Sequence, residues 1–79
     1  MITVLRASGL SVVIFAHDHE PPHVHVVGDG SAKILLVGHN GWPEIIRSQG
    51  MNKAEQRRAL RAVRAAQLEL LEYWKQIHG

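Results

Sequence analysis

The order of apolar and polar positions divides the chain into two parts. Up to about residue 47 the apolar residues form short runs or alternate with polar ones, and Gly, Pro, Asn or Asp separate the runs. From residue 53 they recur every three or four positions instead. These two periods are typical of β-strands and of an amphipathic helix, respectively. The pattern therefore predicts strands within residues 2–47, followed by one helix over about residues 53–77.

The first part contains five segments of strand length. Leu10–Ala16 is nearly all apolar, which predicts an interior strand covered on both faces. Asp29-Gly30 indicates a hairpin, and Pro43 lies where a missing N–H is tolerated, just before an edge strand. We predict a small, mainly antiparallel sheet of four or five strands. The predicted segments are Ile2–Arg6, Leu10–Ala16, His23–Val27, Ala32–Val37 and Glu44–Arg47.

The second part has the signature of a capped helix. Asn52 can cap its start, and Glu55 lies at the spacing of a capping box. One apolar seam, interrupted only by a glutamine, is formed by Leu60, Val63, Gln67, Leu70, Trp74 and Ile77. A helix of about 25 residues spans roughly 37 Å, whereas a strand of this type covers only about 17–20 Å. We therefore predict an α+β fold whose long helix projects beyond the sheet, and a homodimer that covers the projecting apolar end.

Composition narrows the class of protein. A chain of 79 residues is expected to form one domain, over residues 1–79. It has no cysteine, which excludes disulfides, thiolate metal ligands and a cysteine nucleophile. No apolar run reaches the roughly 18–20 residues that a membrane span requires. We expect a soluble, cytoplasmic protein with no membrane partner.

Charge is distributed unevenly along the chain. Residues 1–52 carry a net charge of −1 and residues 53–79 carry +3. On the predicted helix Arg57, Arg61 and Arg64 lie within about 60° of one another. These arginines are candidates for contact with an anionic surface, such as nucleic acid or an acidic protein. The alternative is that they only solvate an exposed helix face.

The densest chemistry lies in the segment HDHEPPHVH, residues 17–25. Residues two apart on a strand point to the same face, so His23 and His25 can act together. Imidazole and carboxylate groups suit a divalent transition metal or acid–base catalysis. The candidate ligands of such a metal are Asp18, His19, His23 and His25.

A structural role for the same histidines is the competing interpretation. If Gly28 pairs with Ser31, His25 lies opposite Ile34 and His23 lies opposite Leu36. Both histidines would then lie on a mostly apolar face, which the helix could cover. Neither face of this hairpin is cleanly polar, so the sequence does not indicate which face the helix covers.

Four segments together resemble a known family. They are TVLR near the start, DHEPPHVHV at residues 18–26, AKI at residues 32–34 and LLxxW at residues 70–74. The chain resembles a family of small bacterial domains of unknown function that is marked by a DHxPPHxHV motif. Members of that family resemble one half of two-gene modules of toxin–antitoxin type. The resemblance implies an operon partner protein rather than an established reaction.

Two functions follow from these observations. The first is a binding module of a two-gene toxin–antitoxin-type system, which acts through self-association and a protein or nucleic-acid partner. The second is a small metal-dependent enzyme, a nuclease or another phosphoester hydrolase, that uses the histidine and aspartate residues of the motif. The sequence leaves open whether the protein is an enzyme.

Overall fold

The chain folds into one antiparallel sheet covered on one face by two helices. The computed structural model describes residues 2–79. It confirms the predicted α+β class. The sheet has five strands, the larger of the two predicted numbers. The elements are β1 (Ile2–Ala7), β2 (Leu10–Ile14), β3 (His23–Val27), β4 (Ser31–Leu35), β5 (Glu44–Gln49), α1 (Lys53–Ala65) and α2 (Gln67–His78).

The strands form a meander in which each strand pairs with the next one along the chain. The β1–β2 turn has positive φ at Ser8 and Gly9, 54° and 76°, which suits the twist of a two-residue hairpin. Both edge strands are irregular: the register shifts between Thr3 and Leu5 in β1, and opposite Lys33 and Ile34 in β5. The second shift leaves Ile46 as the extra residue of β5, because Ile34 pairs with Ile45 and Lys33 with Arg47.

The hydrophobic core lies between the helices and one face of the sheet. Val12, Val24 and Ile34 contribute from neighbouring strands, and each is fully buried. Val63 and Leu70 meet them from the helices, as the predicted apolar seam requires. Val13 on the opposite face of β2 is also buried. β2 is therefore an interior strand, as predicted, but on the face that the helices leave open only its Val13 is buried.

The helical part is broken, and the prediction of one long helix over residues 53–77 is wrong. Ala66 separates α1 from α2, with φ −113° and ψ 21°. The cause lies in Gln67, the polar residue of the apolar seam. Its Nε2 donates to the carbonyl oxygens of Leu36 (2.7 Å) and Gly41 (2.9 Å) in the β4–β5 loop. Because these hydrogen bonds fix the Gln67 side chain to the loop, the helix is interrupted at the preceding residue, Ala66.

The C-terminal helix does not project as an uncovered apolar end. Trp74 is only 3% exposed, and Ile77 packs against the core of its own chain. Leu70 and Trp74 of α2 belong to the core of the same chain. Homodimerisation remains a prediction, but the argument from a projecting apolar end no longer supports it. No helix within residues 2–79 is long and apolar enough to cross a membrane.

The register of the β3–β4 hairpin differs from the expected one by one residue. Val27 pairs with Ser31 across a three-residue loop, instead of Gly28 with Ser31. Consequently His25 lies opposite Lys33, and His23 lies opposite Leu35. When the register shifts by one residue, each side chain of a strand shares its face with the alternate residues of the partner strand. The two histidines therefore share a face with Lys33, whereas Ile34 lies on the helix-covered face.

Candidate metal centre

The loop between β2 and β3 carries the acidic residue of the site. Asp18 is held in a tight turn: its N–H donates to the Phe15 carbonyl oxygen (3.0 Å), and its Oδ2 accepts from the Phe15 N–H (3.1 Å). After Asp18 the Glu20–Pro21 peptide is cis. The carbonyl of Pro22 then accepts a hydrogen bond from the Leu36 N–H (3.0 Å), which ties the loop to the end of β4.

Three of the four predicted metal ligands converge. Oδ1 of Asp18 lies 3.4 Å from Nε2 of His23, and Oδ2 lies 3.4 Å from Nε2 of His25. One ligand atom from each of the three residues can be chosen so that all lie within 4.8 Å of one another. A tetrahedral ion with bonds of 2.0–2.1 Å separates its ligand atoms by about 3.3 Å. Each carboxylate–imidazole spacing is close to this value, with a different oxygen of Asp18 facing each histidine.

The tautomer of His23 is set by the loop. Its Nδ1 lies 2.9 Å from the Pro21 carbonyl oxygen. A carbonyl oxygen only accepts, so Nδ1 carries the proton and Nε2 of the neutral ring has a free lone pair. Nε2 lies 3.4 Å from Oδ1 of Asp18, a separation that a cation held by both groups would fit. A second hydrogen bond that fixes the far nitrogen of a ligating histidine is a common feature of metal sites.

His25 supplies an unsatisfied nitrogen to the same point. Its Nε2 is shielded from solvent and has no hydrogen-bond partner among residues 2–79. Phe15 packs edge-on against the ring, with centroids 4.7 Å apart, and the ring of His23 lies 5.2 Å away. Buried polar atoms in proteins almost always have a partner. This nitrogen lies 3.4 Å from Oδ2 of Asp18, so a cation held by both groups would satisfy it.

The protonation states of the cluster favour cation binding. Burial lowers the pKa of His25 below its ordinary value of 6.5, and the nearby Asp18 carboxylate only partly opposes this effect. Burial acts to raise the pKa of Asp18, but the Phe15 N–H and the two histidines outweigh it and bring the pKa below 3.8. Near neutral pH the site therefore presents a neutral His25 and an ionised carboxylate, which are the forms that bind metal.

His19 does not join this cluster, although it was predicted with the other three residues. Its side chain is exposed, like that of His17. Both residues line a solvent-facing depression of about 380 Å³ that also contains the three converging residues. Since His19 lies on the rim, it is placed to meet a ligand of the centre rather than the ion.

Two cations that sequence reasoning missed lie in the same depression. Lys33 and Arg47 line its wall together with Leu35 and Ile46. They belong to different strands, and only the pairing of β3, β4 and β5 brings them beside His25. The predicted binding residues Arg57, Arg61 and Arg64 are exposed on α1. Among the depressions found over residues 2–79, those lined by Arg61 or Arg64 contain none of the three converging residues.

Trp74 of α2 packs against the candidate ligand His23. Its ring lies 5.3 Å from that of His23, between centroids, and stacks on His78 at 3.8 Å. Its Nε1 donates to Oε1 of Glu20 (3.3 Å), two residues beyond Asp18. The helix therefore contacts both a candidate ligand and the loop that carries the carboxylate.

Comparisons with known proteins identify the family and nothing more specific. Searches of curated proteins and of solved structures gave no significant match. A family model described as a domain of unknown function, DUF4160, matches residues 9–75. The match contains the whole histidine motif, four of the five strands and most of both helices. The chain therefore belongs to the DUF4160 family of domains of unknown function.

Proposed function

We propose that the protein binds one divalent transition-metal ion and acts as a small metal-dependent hydrolase. The observation that carries this proposal is the convergence of Asp18 with Nε2 of His23 and Nε2 of His25 at 3.4 Å. Two imidazoles and one carboxylate form the ligand set of many hydrolytic zinc sites, and the same set also suits ferrous iron. Three protein ligands leave coordination positions open for water and substrate.

The chemistry follows from this ligand set and its surroundings. Asp18, His23 and His25 would hold the divalent ion, which would supply a Lewis acid and lower the pKa of a water molecule bound to it. Hydrolysis consumes only water and substrate, and the open depression admits both. His19, whose exposed side chain lines the same depression, is placed to contact a substrate there.

The other residues of the loop orient the ligands. The Pro21 carbonyl fixes the His23 ring, and the Phe15 N–H fixes the Asp18 carboxylate. In metal proteins, removal of a hydrogen-bond partner that orients a ligand usually lowers the metal affinity about 10- to 100-fold. The two prolines restrict the backbone between Asp18 and His23, which reduces the entropy lost when the ligands are ordered.

Metal content tests the proposal directly. Protein purified without a histidine tag should contain close to one equivalent of metal by elemental analysis. After the metal is removed, cobalt(II) should bind with the intense visible absorption of a tetrahedral site. The double variant His23→Ala/His25→Ala should lose both signals. The matched control is His39→Ala, which removes an exposed histidine from the β4–β5 loop and should leave both unchanged.

The variants are informative only if they remain folded. Far-ultraviolet circular dichroism and two-dimensional NMR spectra should be recorded for each variant in the absence of metal. A wild-type protein that contains no metal and gives no cobalt absorption at micromolar concentration would contradict the proposal. So would a folded double variant that retains full metal content.

A second candidate function, the binding module of a toxin–antitoxin-type pair, is favoured by a different surface. The guanidinium of Arg64 lies 4.3 Å from the centre of the Trp42 ring, and Trp42 is 52% exposed. Arg57 and Arg61 are exposed on the same helix. Exposed aromatic and arginine side chains are enriched where proteins bind partners. This surface would bind the operon partner protein or a nucleic acid.

Charge reversal tests the binding function separately from the metal centre. Arg61→Glu should weaken binding of the neighbouring gene product, or of a double-stranded oligonucleotide, and should leave cobalt binding intact. Lys75→Glu, on α2, gives the same change of charge outside the α1 arginine surface and serves as the control. Equal binding by the wild type and Arg61→Glu would rule out a role for this surface. Light scattering of the same samples tests the predicted homodimer.

A further inference from the structure

The open face of the sheet carries a row of basic side chains beside the candidate metal centre. Cross-strand partners share a face of an antiparallel sheet. His25 of β3 pairs with Lys33 of β4, and Lys33 pairs with Arg47 of β5. A candidate metal ligand and two cations therefore follow one another across three neighbouring strands. Their order places Lys33 next to His25 and Arg47 at the edge of the sheet.

The pairing of Lys33 with Arg47 is unfavourable in the absence of a ligand. Like charges directly opposite each other on neighbouring strands destabilise a sheet. Within residues 2–79, the carboxylate–cation contacts of 4.0 Å or less are those of Asp18 with the two histidines, so no acidic side chain neutralises this pair. The bulge at Ile46 falls beside Arg47, and bulges often direct side chains at functional sites. An anion bound between the two cations would offset their repulsion.

Two depressions meet at this row of residues. One, of about 380 Å³, contains the candidate metal centre. The other, of about 320 Å³, is lined by polar side chains that include Ser31 and Gln49. His25, Lys33 and Arg47 line both of them. A ligand anchored by the two cations can therefore extend from the hydroxyl and amide groups at one end to the metal centre at the other.

We infer that Lys33 and Arg47 form a phosphoryl-binding site that presents a phosphate ester to the metal centre. Arginine binds phosphate through two parallel hydrogen bonds, and lysine adds a compact positive charge. The combined volume suits a small ligand or the end of a nucleic-acid strand. In the hydrolysis, a water oxygen bonds to phosphorus, the bond from phosphorus to the leaving alkoxide breaks, and the alkoxide takes up a proton from the water. This inference names the substrate class of the proposed hydrolase and rests on that function.

Phosphate binding can be measured without metal, so the phosphoryl-binding site can be tested separately from the proposed hydrolase function. Metal-free full-length protein should be titrated with phenyl phosphate, and in parallel with a short single-stranded oligothymidylate, by two-dimensional NMR. Saturable shifts are expected at the amides of Ser31, Lys33 and Arg47. Stronger binding of phenyl phosphate indicates a small phosphomonoester, whereas stronger binding of the oligonucleotide indicates a phosphodiester. Either result supports phosphoryl recognition.

Two variants with the same change of charge test the assignment. Arg47→Glu should weaken the better ligand about tenfold or more, because it replaces a phosphate donor with a repelling carboxylate. Lys75→Glu, at an exposed position of α2 outside the α1 arginine surface, should leave the affinity close to that of the wild type. An absence of saturable shifts in the wild type, or equal weakening by both variants, would overturn the inference.

Metal-loaded protein then connects the site with catalysis. Arg47→Glu should keep one equivalent of cobalt but lose turnover of the preferred ester, mainly through a higher KM. If cobalt does not bind while the metal-free protein still binds phosphate through Arg47, the hydrolase proposal fails and the phosphoryl site stands. If cobalt binds and turnover is independent of Arg47, the metal centre stands and the phosphoryl site is wrong.

Discussion

The indole N–H of Trp74 donates a hydrogen bond to the carboxylate of Glu20, 54 positions earlier in the chain. Glu20 lies in the loop that carries Asp18, and the Trp74 ring also packs against His23. One buried side chain of the last helix therefore contacts both sides of the candidate metal centre. This contact connects the docking of α2 with the geometry of the ligands.

Trp74→Phe should weaken metal binding although it removes no ligand. Phenylalanine keeps most of the apolar contact but has no N–H for Glu20, so the loop with Asp18 is held less firmly. We expect cobalt affinity to fall about tenfold, at the lower end of the effects of outer-shell partners. The lost hydrogen bond should lower the unfolding free energy by about 1 kcal/mol. Cobalt titration and urea unfolding measure the two effects.

Tyr73→Phe is the matched control for this variant, because Tyr73 is its neighbour in α2 and is exposed. Its cobalt affinity should equal that of the wild type. Lower stability of Trp74→Phe with unchanged cobalt affinity would show that Trp74 serves the core alone.

The two candidate histidine ligands should respond differently to truncation. His25→Ala should lower metal affinity more than about 100-fold, beyond the usual effect of an outer-shell partner, with little loss of stability. Its side chain is 25% exposed, whereas that of His23 is only 6% exposed. His23→Ala should therefore lose metal affinity and also about 1–3 kcal/mol of unfolding free energy, as buried truncations commonly do.

The comparison requires metal-free samples for stability and a cobalt titration for affinity. His17→Ala, on the rim of the same depression, should change neither quantity substantially. Equal metal affinities for His25→Ala and His17→Ala would remove His25 from the ligand set.

Acidification should destabilise the metal-free protein in two steps. Since burial lowers the pKa of His25, the unfolded chain takes up a proton near pH 6.5 that the folded chain does not. The unfolding free energy therefore falls as the pH drops below 6.5. The lowered pKa of Asp18 contributes stability above pH 3.8, and this contribution is lost as the pH falls through the folded-state pKa. Urea unfolding between pH 7.5 and pH 3 should record both steps.

His25→Gln should flatten the first step, because glutamine does not titrate. Metal should also be released from the wild type on acidification, as protons compete for the same ligand atoms. A wild-type stability profile that rises between pH 7 and pH 5.5 would contradict the assigned direction for His25.

Glu55 should matter to stability far more than an exposed glutamate. It is 3% exposed, and its Oε2 accepts a hydrogen bond from the Asp29 N–H (2.7 Å) in the β3–β4 loop. Glu55→Ala leaves that N–H without its partner and should cost about 1–3 kcal/mol. Asn52→Ala removes only the helix cap and should cost about 1 kcal/mol. Urea unfolding measures both variants, and Glu72→Ala is the exposed control. A cost below that of Glu72→Ala would mean that the buried contact contributes nothing.

The capping pattern shows how far local reasoning extends. The sequence predicted that Asn52 caps α1, and its Oδ1 does accept a hydrogen bond from the Glu55 N–H (2.8 Å). In a full capping box the Glu55 side chain would return to the backbone of Asn52. It reaches Asp29 instead, because the packing of the helix brings the β3–β4 loop within range. The spacing therefore predicted the hydrogen bond between the Glu55 N–H and Asn52. The partner of the Glu55 side chain depended on a segment that is distant in the sequence.

The sequence alone determined the features that depend on near neighbours. Strand segments, the Asn52 cap and the apolar seam through Val63, Leu70 and Trp74 follow from periodicity and local hydrogen bonding. The motif also pointed to Asp18, His23 and His25, which the fold brings close together. These properties depend on residues only a few positions apart, because the regular backbone of a strand or helix fixes the relative positions of such residues.

Only the tertiary structure decided the features that depend on the pairing of distant segments. A three-residue loop instead of a two-residue one placed His25 opposite Lys33 and His23 opposite Leu35, on the face of the hairpin that does not carry Ile34. Hydrogen bonds to loop carbonyls broke the helix beside Gln67. Strand order brought Arg47 to the centre, although the charge pattern had pointed to the helix arginines. Strand register, the continuity of the helix and the convergence of the site residues depend on which surfaces are buried together. The spacing of residues along the sequence does not contain that information.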